Sequence, residues 1–288
     1  MALAGKTLIA MLGARLDLAA PLAIVDVGAN PLGKPVYKPL LSAGLAHVWG
    51  FEPNAAAFAR LEGASNATYL PKAVGAGGPA TLHAYPASEM SSLYPLSESA
   101  IGYLGHFRRH LGQEERIGIT THRLDDISDI DRIDLLKVDA QGAECDVIGG
   151  ARTKLAQAVM VIAEMRFYRL YDGEPMLHDL DRSLRDQGFV LHRFLHQKAR
   201  MLTHSQKGRV NAKALSSQLI DGDAVYIRSF EDRAAWSDSQ LRALALLAAT
   251  IGSHDLALLV LDTLVARGLA RKSLPGAYVD LLPQELRA

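Results

Sequence analysis

The chain has 288 residues, 49% of them hydrophobic, and its 31 basic side chains balance 31 acidic ones. That length holds one large α/β domain with an appendage, and the even charge excludes a global field drawing the chain to nucleic acid or to an anionic membrane. No run approaches the roughly 18 to 20 apolar residues of a membrane span, and a single cysteine, Cys145, cannot form an intrachain disulfide, which fits a reducing, cytoplasmic setting.

Residues 1–21 open with an apolar stretch, Thr7 to Leu12, that Gly13, Arg15 and Asp17 interrupt. It reads as an amphipathic helix packed on a sheet rather than as a cleaved leader. Strand-like runs then recur at 23–28, 46–52, 68–74, 133–139, 158–164, 188–195 and 224–230, with helical stretches between most of them. Such alternation predicts a mostly parallel sheet covered by helices on both faces. The last two runs lack a good crossover helix, and Asp221-Gly222-Asp223 reads as a turn, so the final pair is expected to be antiparallel.

Residues 80–132 form a long insertion with short strand candidates at Thr81–Tyr85 and Ile119–Leu124. Within it, Ser88 to Pro95 and Phe107-Arg108-Arg109-His110 are candidates for a lid. From Ser237 onward Leu241, Leu244 and Leu247, then Leu256, Leu259, Val260 and Leu264, fall at helical spacing, giving two helices joined near Gly252-Ser253-His254 and a third short element around 277–282. A helical hairpin cannot bury both faces alone, so it packs on the α/β domain or on a second copy as a homodimer contact. The expected organisation is an N-terminal helix (1–21), a cofactor-binding α/β domain (22–230) and a C-terminal helical extension (231–288).

The chemistry lies where the apolar runs stop. Ala23-Ile24-Val25-Asp26-Val27-Gly28-Ala29-Asn30 ends in an acid, then a glycine that lets the backbone approach a ligand. A pyrophosphate would call for G-x-G-x-x-G before a helix. Here the register is Gly28-Ala29-Asn30-Pro31-Leu32-Gly33, which disfavours a nicotinamide dinucleotide. A cofactor with an amino-acid tail and no phosphate suits the loop better, namely S-adenosylmethionine, with Glu52 at the end of the second run accepting both ribose hydroxyls. Taken singly, either acid also reads as a cap or a solvated loop group.

Five segments in order carry a specific resemblance: Asp26-x-Gly28-Ala29-Asn30, Phe51-Glu52-Pro53-Asn54, Ala73-Val74-Gly75, Arg123-Leu124-Asp125-Asp126, and Leu136-Lys137-x-Asp139-x-Gln141-Gly142-x-Glu144. Over residues 22 to about 200 the chain resembles the FkbM family of S-adenosylmethionine-dependent methyltransferases. The resemblance implies a class I methyltransferase-like α/β fold, a doubly wound mixed sheet of seven strands with the last antiparallel, followed by the helical extension. It implies O-methyl transfer to a hydroxyl of a sugar, glycan or related natural product. The cofactor positions it implies are Asp26, Gly28, Ala29, Asn30, Glu52, Pro53, Asn54, Ala73, Val74, Asp139 and Gln141, with Ala73 and Val74 at the adenine edge. Two departures stand out: Pro31-Leu32-Gly33 lengthens the first loop by one residue, and Gln141 stands where the family usually carries Glu.

A sulfonium methyl is already activated, so the protein's tasks are to align an oxygen nucleophile and exclude water. A positioned base adds roughly 10²- to 10⁴-fold. Asp139 is the first candidate for that base, with Glu144 and Glu164 sharing the work or binding the acceptor. Glu144 also reads as a charge favouring a helix N-terminus. The same three acids would make a hard oxygen site suited to Mg²⁺, whereas the ten histidines show no metal-ligand spacing. Tyr37, Met90, Ser92, Arg166, Tyr168, Arg169 and Tyr171 are expected on the acceptor side, where aromatic faces and guanidinium forks suit a hydroxyl-rich, even anionic, carbohydrate. The alternative reading is a catalytically inactive module that acts through its C-terminal helices.

Overall fold

The structure is a computed structural model, and it describes residues 2–29, 35–61 and 65–288. Ten strands form among these: β1 (Leu22–Val27), β2 (Ala46–Phe51), β3 (Ala67–Leu70), β4 (Ala73–Val74), β5 (Gly78–Ala84), β6 (Glu115–His122), β7 (Leu135–Val138), β8 (Met160–Arg166), β9 (Phe189–Arg200) and β10 (Gln218–Arg228). All six residues of β1 are buried, and β7 and β8 are nearly so. Continuous apolar runs of this kind are what parallel strands covered on both faces require.

Seven strands make the main sheet in the order β3-β2-β1-β7-β8-β10-β9. They run parallel from β3 to β8, and β10 is antiparallel to both of its neighbours. This is the seven-stranded mixed sheet of a class I methyltransferase, with the last strand reversed. The carboxyl ends of β1, β7 and β8 therefore lie side by side at one edge.

Two boundaries differ from the sequence reading. The run at 68–74 is not one strand: β3 ends at Leu70, and after Pro71, which has no N–H to donate, Ala73 and Val74 pair with β6 in a separate sheet of order β4-β6-β5. Asp221-Gly222-Asp223 is not a turn but lies inside β10, which is irregular in register on both sides of it. Glycine is needed there because a Cβ would stand 2.7 Å from the His196 carbonyl oxygen and 3.1 Å from the Phe167 ring.

The stretch between β5 and β6 builds its own small core. Tyr85, Met90, Leu96 and Ile101 pack with Leu170 and Tyr171, which follow β8. The helix Glu98–Leu104 in this segment starts on a Ser97 side-chain cap and ends on Gly105 in the left-handed conformation. The segment thereby sits against the loops after β7 and β8.

The C-terminal helices Asp238–Thr250 and His254–Ala266 lie where Leu periodicity put them, joined at Ile251-Gly252-Ser253, with a third helix at Leu274–Asp280. Ser237 and Gln240 form a capping box at the first, an arrangement worth about 1 kcal/mol. Leu244 and Val260 from the pair share one apolar cluster with Leu8 and Leu12 of the N-terminal helix Ala2–Gly13 and with Ile24 and Val225 of the sheet. No described helix is long and apolar enough to cross a membrane.

Candidate active site

A cavity of about 750 Å³ opens at the carboxyl edge of β1, β7 and β8, a size typical of small-molecule sites. It brings together six residues singled out in the sequence: Asp26, Gly28, Ala29, Tyr37, Asp139 and Glu164. Gly28 has φ +83°, and a Cβ on it would overlap the Asp139 carbonyl oxygen. The loop after β1 thus packs straight onto the end of β7, which only glycine permits.

The β1–β7 register sets Asp26 opposite Lys137. The buried Asp26 carboxylate accepts from Lys137 Nζ at 3.0 Å and from the Tyr37 hydroxyl at 2.5 Å. The chain itself thus supplies an ammonium and a hydroxyl to Asp26, although a carboxylate keeps further lone pairs for a ligand. Burial opposes the charge on Lys137, but Asp26 and Asp139 outweigh it and hold the lysine pKa above its ordinary value. Burial, reinforced by Asp26, pushes the Tyr37 hydroxyl well up. At neutral pH Lys137 stands as a fixed ammonium.

Gln141 is the hub of the next loop. Its backbone takes a left-handed φ of +49°, uncommon for a residue with a side chain. Nε2 donates to Asp139 Oδ1 at 2.8 Å and to Glu164 Oε2 at 3.2 Å. Oε1 accepts from Arg166 Nη2 at 2.9 Å and lies 3.3 Å from the Tyr171 hydroxyl, while the backbone carbonyl accepts from Ser92 Oγ at 2.5 Å.

Asp139, Glu144 and Glu164 converge, with one oxygen of each within 4.8 Å of the others. Their surroundings differ. Glu144, the first residue of the helix Glu144–Gly149, is 5% exposed and turns back to accept the N–H groups of Ala140 and Gly142 at 2.8 and 3.0 Å. It braces its own loop and does not line the cavity. Burial raises its carboxyl to about 7, against the pull of Arg166. Glu164 is raised well above the ordinary carboxylate range, again by burial and again against Arg166. Beside Glu144, burial pushes the Cys145 thiol up to about 12, so it behaves as an unreactive, partly buried group.

Arg166, expected to face an acceptor, is consumed by acids. Its side chain lies 2.9 Å from Glu164, 3.2 Å from Asp221 and 3.4 Å from Glu174. The last contact is close enough for attraction but too poorly aligned for a hydrogen bond, since both atoms lack hydrogen-bond partners. Arg169 likewise bonds Ser99. An anionic acceptor would therefore not find the Arg166 fork free, whereas Arg169 is exposed and keeps its charge unpaired among the described residues.

A family model for the methyltransferase FkbM domain matches residues 26–191, more than half of the 288. The chain belongs to the FkbM methyltransferase family. It is an S-adenosylmethionine-dependent methyltransferase. Among solved structures it is similar to magnesium protoporphyrin IX methyltransferase from Synechocystis with bound S-adenosylmethionine, at 14% identity, 78% of each chain and a TM-score of 0.37. It is also similar to precorrin-6y C5,15-methyltransferase from Geobacter metallireducens, at 14% identity over 77% of this chain and 84% of that one, with a TM-score of 0.34. Likeness this distant adds no weight beyond the sheet order. A search of curated proteins finds no match.

Other expected positions of this FkbM methyltransferase lie outside the cavity wall. Glu52 directly follows β2, partly buried, with Oε1 accepting the Asn54 N–H at 2.8 Å. Asn54 caps the next helix through Ala57 N–H, with Pro53 between the two. Ala73 and Val74 form β4, and Gln141 reaches the cavity only through the acids it holds. Asn30 lies outside the described residues. The sequence reading missed Lys137, Tyr69 and Asp223, which do line the cavity. Lys137 stood in a quoted motif without a role, and Asp223 was hidden by being read as a turn; burial raises its carboxyl, with Asp139 adding to the effect.

Proposed function

We propose that this methyltransferase moves the methyl group of S-adenosylmethionine to a hydroxyl of a sugar, glycan or related natural product, with Asp139 accepting the hydroxyl proton. The reading rests on where Asp139 stands. It follows β7 at the cavity wall, between Gly28 of the first loop and Glu164, with Oδ1 held by Gln141 and Oδ2 without a hydrogen bond among the described residues. An acid so placed is oriented at one oxygen and available at the other.

The residues present fit the cofactor. The cavity is large enough, the glycine at position 28 lets the first loop close onto the end of β7 beside it, and Glu52 has one oxygen left after bonding Asn54. Glu52 would hold the ribose, and the backbone at Gly28 and Ala29 would meet the amino-acid tail. When bound, S-adenosylmethionine supplies an activated methyl on a sulfonium. The chain's own work is then to orient the acceptor and take its proton. Asp139, Glu164 and Asp223 offer carboxylate oxygens along one wall, with Ile162 and Leu195 as apolar surface beside them. Such a wall suits a polyhydroxylated acceptor, in keeping with the hydroxyl-rich carbohydrate expected from the sequence.

The test is methyl transfer from labelled S-adenosylmethionine to a panel of monosaccharides, oligosaccharides and hydroxylated polyketides, with Asp139→Asn beside the wild type. The substitution should lower the rate by roughly 10²-fold or more while cofactor binding, read by calorimetry, stays within a few-fold. An unchanged rate would remove Asp139 as the base. No binding at millimolar cofactor would remove the enzyme reading.

A further inference from the structure

We propose that Gln141 is a positioning residue whose side-chain amide does, between Asp139 and Glu164, what a divalent cation does in a carboxylate metal centre. The inference rests on the reading of Asp139 as proton acceptor. Carboxylates whose oxygens approach within 4.8 Å repel one another unless a donor or a cation stands between them. Here the donor is Nε2 of Gln141. It has two hydrogens, and two carboxylate oxygens lie within reach, Asp139 Oδ1 at 2.8 Å and Glu164 Oε2 at 3.2 Å.

The amide cannot be turned over. Its oxygen meets the Arg166 guanidinium at 2.9 Å and the Tyr171 hydroxyl at 3.3 Å. Flipping it would press an oxygen against two carboxylates and an NH₂ against a cation, so the network fixes which end is which. The left-handed backbone at Gln141, pinned by Ser92 Oγ on its carbonyl, aims the side chain into the gap. The third acid needs no ion either, because Glu144 already accepts two backbone N–H groups. Every converging acid thus has a donor from the chain itself. A neutral amide on Oδ1, unlike a bridging metal, leaves Asp139 Oδ2 without a partner among the described residues.

The arrangement makes a prediction that needs no acceptor. Full-length wild type, Gln141→Glu and Gln141→Met are titrated with Mn²⁺, and free Mn²⁺ is read by electron paramagnetic resonance. Wild type should bind Mn²⁺ no tighter than millimolar. Gln141→Glu supplies a further oxygen ligand where the amide was and should bind one Mn²⁺ at least about tenfold tighter. That gain should vanish when Asp139→Asn is added. Gln141→Met, which removes the donor without adding charge, should show a smaller gain and guards against a folding artefact in the first variant, with circular dichroism checking both. One Mn²⁺ bound below millimolar by wild type and lost in Asp139→Asn would overturn the proposal, as would folded variants that gain nothing. Because the readout is metal binding, it stands whether or not Asp139 proves to be the base, so the two ideas fail separately.

Discussion

Arg166 is the side chain whose loss should be felt most sharply. It is 4% exposed, and the acids around it are nearly as deep. Replacing it with Met keeps the volume and removes the charge. Asp221 would retain Lys198 Nζ at 3.1 Å, and Glu174 would retain the N–H groups of Leu170 and Tyr171. Glu164 would be left with the Gln141 amide alone, and that amide would itself lose a donor on its oxygen. Removing one partner of a buried ion pair costs about 3–5 kcal/mol because a charge is stranded, so Arg166→Met should lose about that much at pH 8. Burial already raises the carboxyls of Glu164 and Glu174, and Arg166 is the main influence lowering them. Without it both rise further. A carboxyl raised in the folded state contributes stability that is present at low pH and lost as pH rises through its folded pKa. The difference from wild type should therefore shrink by at least half between pH 8 and pH 5. Urea unfolding followed by circular dichroism at the two pH values measures it. A loss below about 1 kcal/mol at pH 8, or one independent of pH, would refute the claim that Arg166 is the main influence favouring the charged form of these acids.

Two further outcomes test the loops. Gly28→Ala places a methyl on the Asp139 carbonyl at a positive φ; it should destabilise the fold by about 1–3 kcal/mol and weaken S-adenosylmethionine binding at least tenfold by calorimetry, and near-normal binding would show that the contact between the two loops is not needed. Glu144, with a folded pKa of about 7 against an ordinary 4.5, favours the native state below pH 4.5 and loses that contribution as pH rises through 7. Glu144→Gln should therefore gain on wild type between pH 5 and pH 8, by on the order of 3 kcal/mol at most, in the same unfolding assay; an unchanging gap would mean the carboxyl is not held high.

Much of the fold could be read from one-dimensional pattern because the central strands are buried on both faces and so appear as unbroken apolar runs. The C-terminal helices were equally plain, since Leu241, Leu244 and Leu247 all face one core. The reading failed where a strand carries polar residues for reasons supplied by a distant partner. Asp221 sits in β10 because it faces Arg166 across the β8 pairing, 55 residues away, and the next residue is Gly222 because His196 and Phe167 leave no room for a side chain. Viewed locally, Asp-Gly-Asp has the composition of a turn. Nothing within a few residues distinguishes the two cases.

The same limit governs the site. The strand-end motifs identify which acids gather at the cavity, and Asp26, Asp139 and Glu164 do gather there. Which of them remain open to a ligand is decided by compensation across strands. Asp26 is bound by Lys137, 111 residues on, through the β1–β7 register. Arg166 looks like an anion-binding fork in sequence but is neutralised by three acids that arrive from β8, β10 and the loop after Tyr171. Gln141 looks like the loss of a charged group, yet in place it is the one donor that lets two carboxylates share a corner. Once those pairings are accounted for, Asp139 Oδ2, Glu164 Oε1 and the Asp223 carboxylate are the acid oxygens of the cavity with no hydrogen bond or ion pair among the described residues. On the proposed reading these open oxygens are what would take a hydroxyl hydrogen bond and its proton beside a methyl donor, with the exposed Arg60 on the same cavity wall.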